Sequence, residues 1–126
     1  SLYPHAGTVR SSEVYKQAYL LNNPLIAATA SGKGSLPERY SFASADRPNV
    51  IIDTVKRAED SDNIIVRLFE SGNKTTDVNV KFALNCKKVS LCDLMENELK
   101  DLPVKDGIVS LRVKPFEIVT LKMLKK

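Results

Sequence analysis

Apolar and polar positions alternate along much of this chain, and the pattern predicts mostly β-strands. The strongest instance runs from Asn49 to Glu70. Val50, Ile51, Ile52 and Val55 fill one run, and Ile64, Ile65, Val66, Leu68 and Phe69 fill a second. Between them, residues 58–63 (Ala-Glu-Asp-Ser-Asp-Asn) hold no apolar side chain larger than alanine. Two β-branched runs around a polar connection predict a β-hairpin. The cleanest alternation spans Thr76 to Leu84. Val78, Val80, Phe82 and Leu84 share one side, and Asp77, Asn79 and Lys81 share the other, as in a strand with one wet face.

Further strands are expected over Leu25–Ala30, Tyr40–Ala45, Val89–Asp93, Ile108–Val113 and Phe116–Leu124, with Met95–Leu102 less regular. Turns fall at residues 46–49, at 71–74, where Gly72 can supply a positive φ, and at Asp106-Gly107. Pro115 suggests a bend or a sheet edge. From Ser11 to Asn22 the period changes. Val14, Ala18 and Leu21 then share a helical face, Ser11 or Ser12 can cap its start, and Pro24 stops it. About eight short strands and one short N-terminal helix predict a mainly β fold, an antiparallel β-sandwich.

At 126 residues the chain is long enough for one domain, residues 1–126, with a core that needs no metal or disulfide. A hydrophobic content of 43% against 27% charged residues excludes a disordered chain. The net charge of +4 is diffuse. Lys87-Lys88 and Lys122, Lys125 and Lys126 are expected to be solvated, and no basic stripe points to nucleic acid. No apolar run approaches the roughly twenty residues of a membrane span. Ser1-Leu2-Tyr3-Pro4-His5 has no signal-peptide character, and the missing initiator methionine suggests a piece of something longer. Cys86 and Cys92 lack zinc-site or redox spacing, so two free, partly buried thiols are expected, with a disulfide between them as the alternative that two positions alone do not decide.

Candidate chemistry is sparse. Gly32-Lys33-Gly34 fits neither the spacing nor the helix that a phosphate loop needs. His5, the single histidine, could act as an acid or base near neutral pH, or could order its loop beside Pro4 and Gly7. Glu59, Asp60 and Asp62 form the densest carboxylate cluster. Adjacent residues on a turn do not predict the roughly 5–9.5 Å separation across a glycosidic bond that a glycosidase pair needs. Turn capping, with Lys56 and Arg57 neutralising the charge, accounts for them. Asp93, Glu96 and Glu98 read as an exposed acidic connection.

Five stretches nevertheless stand out, in order along the chain: Tyr3-Pro4-His5-Ala6-Gly7; residues 18–25 (AYLLNNPL); residues 49–70, with Thr54–Asp60 at their centre; residues 92–96 (CDLME); and residues 116–121 (FEIVTL). Together they resemble the C-terminal β-domain of glycoside hydrolase family 38, the α-mannosidases, over nearly the whole chain. The resemblance implies a cytoplasmic, bacterial-type parent enzyme that is a retaining, zinc-dependent exo-mannosidase. Its metal ligands and aspartate nucleophile would lie in a separate N-terminal catalytic domain, which these 126 residues do not include.

This chain would then be a non-catalytic accessory domain. It would hold no cofactor itself, with zinc bound by the parent's catalytic domain. Its partners would be that domain and, through the parent, a mannoside, with neither nucleic acid nor membrane. His5, Glu59 and Asp60 are candidate contributors to the active-site rim. The alternatives are a carbohydrate-binding module or a domain that makes the parent a homo-oligomer. The absence of tryptophan weighs against the former.

Overall fold

A computed structural model describes residues 1–9, 11–29, 32, 34–84 and 86–125, without the side chains of Lys87 and Lys125. The expectations placed on Ala30, Ser31, Lys33 and Lys126, and on those two lysine side chains, fall outside the described residues. The chain divides into two units, Ser1–Arg39 and Tyr40–Lys126.

Among its described residues the first unit holds one helix, α1 (Val14–Asn22), with no buried residue. The serines do not cap it. Glu13 takes the N-cap position and makes no side-chain cap hydrogen bond. Ser11 Oγ closes the preceding turn instead, lying 3.0 Å from Thr8 N and 3.2 Å from Thr8 O. Gly7 has φ +77°, and a Cβ there would meet Ser11 Oγ at 2.6 Å, so that turn requires glycine. At the far end, Asn22 Nδ2 and Asn23 Nδ2 donate to the carbonyls of Ala18 and Tyr19 before Pro24 ends the helix. No strand forms over residues 25–29. Leu25 and Ile26 are exposed, because a short apolar run becomes a strand only where a partner strand lies beside it.

Among its described residues the second unit holds eight strands: β1 (Ala43–Ala45), β2 (Val50–Arg57), β3 (Ile64–Glu70), β4 (Thr76–Phe82), β5 (Cys86–Cys92), β6 (Glu98–Leu102), β7 (Ile108–Val113) and β8 (Ile118–Lys125). They form a three-stranded sheet, β1-β4-β7, and a five-stranded sheet, β2-β3-β8-β5-β6. Every pairing is antiparallel. This is the expected β-sandwich. Its core joins Val66, Leu68, Val89, Leu121 and Met123 of the larger sheet to Val78, Val80, Phe82, Val109 and Val113 of the smaller one. The alternation read over Thr76–Phe82 holds residue by residue, but Leu84 lies beyond the strand and is exposed.

Three further departures have local causes, and one turn forms as expected. Glu98–Leu102 forms an edge strand on β5, although charged side chains obscured its pattern; such charges commonly protect an edge. In the 71–74 turn the positive φ belongs to Asn73, at +56°, and not to Gly72. Gly72 serves close approach instead, since a Cβ would meet Glu70 Oε1 at 2.9 Å. Phe116 lies in the turn before β8, with φ +56°, and not in the strand. Asp106 and Gly107 both have positive φ, as a two-residue hairpin turn demands.

Candidate functional site

The rim candidates fall in different units, so each is described within its own. His5 is exposed in the first unit and lies beside a cavity of about 480 Å³ lined also by Tyr3, Val14, Ala18 and Leu21. Its Nδ1 is 3.4 Å from the carbonyl of Ala6. Thus the helical face read from Val14, Ala18 and Leu21 lines the cavity that holds the chain's single histidine.

Glu59 and Asp60 sit in the β2–β3 connection, where they meet a polar layer on the outer face of the five-stranded sheet. Register explains the layer. Val119, Leu121 and Met123 of β8 belong to the core, so Thr120 and Lys122 must face away from it. Both are nonetheless buried, at 2% and 4% exposure. Lys122 Nζ lies 3.0 and 3.1 Å from the two carboxylate oxygens of Asp60. That bond raises the lysine pKa and lowers the aspartate's. Lys122 is therefore not the solvated tail lysine its position suggested.

Lys56 pairs with Glu59 and, at 2.8 Å, with Glu96 Oε1. The backbone N–H of Glu59 donates to Glu96 Oε2 at 3.0 Å. Glu96 is buried, which corrects the expectation of an exposed acidic connection over 93–98. Its neighbour Asp93 accepts bonds from the backbone N–H groups of Met95 and Asn97 and so closes the 93–97 turn. Arg57 pairs with Asp62 at 2.8 Å, as the neutralising role implied. Further along the layer, Lys88 lies 3.1 Å from Glu98 and 2.7 Å from Asp101. Cys86 and Cys92 are free, and burial pushes the Cys92 thiol up.

Glu70 was not singled out from the sequence, yet it is fully buried and joins three segments. Its Oε1 accepts from Asn49 Nδ2 at 2.7 Å and Gly72 N at 2.6 Å. Its Oε2 accepts from Lys74 N at 3.3 Å and Phe116 N at 3.1 Å. Burial alone would raise its pKa, but these four donors outweigh burial and hold the carboxyl below its ordinary value. A signal for it was present, since alternation places Glu70 on the same face as Val66 and Leu68.

Above the layer, at the β2–β3–β8 end, lies a groove of about 560 Å³ whose walls include Arg67, Phe69, Leu94, Phe116 and Ile118.

Chemically, the carboxylates of Asp60, Glu70, Glu96 and Glu98 are all held below their ordinary range. A general acid near neutral pH needs the opposite shift. Among the described residues, no group of three or more His, Cys, Asp or Glu side chains is placed to hold a metal ion. No helix among them is long and apolar enough to cross a membrane.

Comparison with known proteins locates this architecture. Residues 49–121 match the family of glycosyl hydrolases family 38 C-terminal beta sandwich domains. The chain is 30% identical to α-mannosidase 2C1 of Homo sapiens and to α-mannosidase G of Dictyostelium discoideum, each over 129 aligned positions. The mouse (Mus musculus) α-mannosidase 2C1 aligns at the same identity. Each alignment covers 98% of this chain and 12% of the relative, so the chain spans about an eighth of the length of the relatives it matches. With the sandwich and the matched span in agreement, the chain belongs to the glycosyl hydrolase family 38 C-terminal β-sandwich domains.

Proposed function

We propose that this chain is the C-terminal accessory part of a retaining, zinc-dependent α-mannosidase that acts on terminal α-mannosides. It packs on and supports a catalytic domain carried by the same polypeptide. The observation that carries this reading is the alignment: α-mannosidases match 98% of this chain, which makes up 12% of their length. The polar chemistry of the sandwich agrees with a supporting role, since its buried charged groups are engaged in holding loops.

Zinc would be held by residues of the catalytic domain. The described side chains do not offer a ligand set for it. His5 is the best-placed rim contributor, because it is exposed beside a cavity. Glu59 and Asp60 would join the rim through the exposed parts of carboxylates that also anchor Lys56 and Lys122.

The test is hydrolysis of an aryl α-mannoside with and without zinc. The 126-residue chain should be inactive, and the natural full-length polypeptide that carries it should be active. Turnover by the isolated chain, or none by the parent, would sink the reading. In the parent, His5→Ala should lower kcat while leaving Tm nearly unchanged; a fall in Tm alone would make His5 structural.

A further inference from the structure

The two rims of the groove are built alike. On one side, Lys114–Glu117 forms a turn closed by Glu117 N donating to Lys114 O at 3.1 Å. Proline in the second position and a left-handed residue in the third is the pattern that favours glycine or asparagine. Phe116 occupies that third position with φ +56°, and 58% of it is exposed. Its N–H donates to the buried carboxylate of Glu70. On the other side, the 93–97 turn carries a second left-handed residue, Glu96, with φ +69°. Its buried carboxylate anchors the turn to Lys56 and to the backbone of Glu59.

That turn exposes Leu94, whose carbonyl accepts from Arg67 Nη2 at 2.7 Å. Ile118, 58% exposed, lies between the rims. Two strained turns, each held by a buried glutamate, thus present large apolar side chains to water. Strain of this kind persists where surrounding structure enforces it, and it concentrates at functional positions.

Most of the groove's polar groups are already engaged, Arg67 Nε being buried without a hydrogen-bond partner. Thr54 Oγ1 donates to Asp53 at 2.8 Å, and Ser71 Oγ donates to the carbonyl of Asn49 at 3.1 Å. Arg67 serves Leu94 O, and Glu70 accepts its four bonds. A sugar needs several uncommitted partners for its hydroxyls, whereas this surface suits hydrocarbon. The relatives align across the whole groove inside chains about eight times as long as this one, so most of each lies outside the match.

We propose that the groove seats an apolar segment, rich in large aliphatic or aromatic side chains, from the remainder of the same polypeptide, with Phe116 as its anchor. This rests on the reading of the chain as part of a larger mannosidase. Permanent interfaces of this kind are more apolar than transient ones.

The test places a photo-cross-linking benzoylphenylalanine at position 116 of the natural full-length polypeptide. The expected product is an intramolecular cross-link, at monomer mass, to a peptide outside residues 1–126. Capture of a second copy, capture confined to residues 40–126, or no capture would overturn the proposal. Saturable mannose binding that protects position 116 would also overturn it.

A second variant separates docking from folding. Phe116→Gly relieves the left-handed backbone, so Tm of the 126-residue chain should hold or rise by about 2–4 °C. In the full-length polypeptide the same change should lower Tm and speed proteolysis several-fold. Movement in the same direction in both would overturn the seat. Aryl α-mannoside hydrolysis by the unmodified polypeptide keeps the two ideas apart. Hydrolysis without capture removes only the seat, and capture without hydrolysis removes only the mannosidase reading.

Discussion

On its inner face, the five-stranded sheet presents Val66, Leu68, Val89, Leu121 and Met123 to the opposing sheet. On its outer face, the same strands present Ser90, Arg67, Thr120 and Lys122, and these too are largely withdrawn from water. The inner face is buried by non-directional hydrophobic contact, which scales with area and ignores pH. The outer face is buried under the 58–63 and 93–97 loops, whose charges pair with its own. Such pairs gain Coulomb energy but lose hydration, so their net contribution is small. What they do specify is position. Lys122 accommodates Asp60, and Lys56 accommodates Glu96, only when both loops lie in one place.

The largest test of this contrast is Leu68→Ala. Leu68 is fully buried, and truncation should cost about 3–4 kcal/mol in denaturant unfolding. Glu70→Ala should come next, at about 3 kcal/mol, because it strands the N–H groups of Gly72, Lys74 and Phe116 and the Asn49 amide in a dry site. A cost under about 1 kcal/mol would mean that water replaces the carboxylate.

Stability against pH sharpens the comparison. Glu70, Glu96 and Asp60 have folded values below their ordinary 4.5, 4.5 and 3.8. Their stabilisation is therefore present above those values and lost as pH falls through the lowered ones, beginning near about pH 5. Lys122 and Lys56 are raised above 10.5, so their contribution is present below that value and lost as pH rises through the raised ones. Leu68→Ala should lower the whole stability curve without changing its shape, whereas Glu70→Gln should flatten the acid limb. Equal flattening by both would break the distinction.

Smaller effects belong to the outer face. Lys122→Met keeps the buried stem and releases Asp60 to water, so the loss should stay below about 1 kcal/mol. A cost matching that of Leu68→Ala would show the ion pair to be as demanding as the core. Thr120→Val should go the other way. The Thr120 hydroxyl is buried without a hydrogen-bond partner, directly across from Arg67 in the β3–β8 pairing. Replacing it with a methyl should stabilise the chain by roughly 0.5–1 kcal/mol, read as a higher Tm. Destabilisation would reveal an ordered water bridging Thr120 Oγ1 and Arg67 Nε.

Much of the sandwich was legible in the residues. The Asn49–Glu70 hairpin, the Thr76–Phe82 alternation and the Asp106-Gly107 turn appear where the pattern places them, because each depends on neighbours a few positions away. Leu25–Ala30 looks as strand-like as several true strands, but residues 25–29 pair with nothing. Glu98–Leu102 looks irregular, yet β5 pairs it into the sheet. The surroundings of the rim candidates were less legible. Nothing near Asp60 in the sequence indicates Lys122, 62 positions away, and nothing near Glu96 indicates Lys56.

By itself, the sequence determined most of the strands, their inward faces and the family, since period-two alternation and motif order are properties of the chain. Only the tertiary structure decided that Thr120, Lys122 and Glu96 are buried and that Phe116 stands exposed on a strained turn. Alternation assigns a side chain to a face; whether that face meets water depends on which distant loop folds across it.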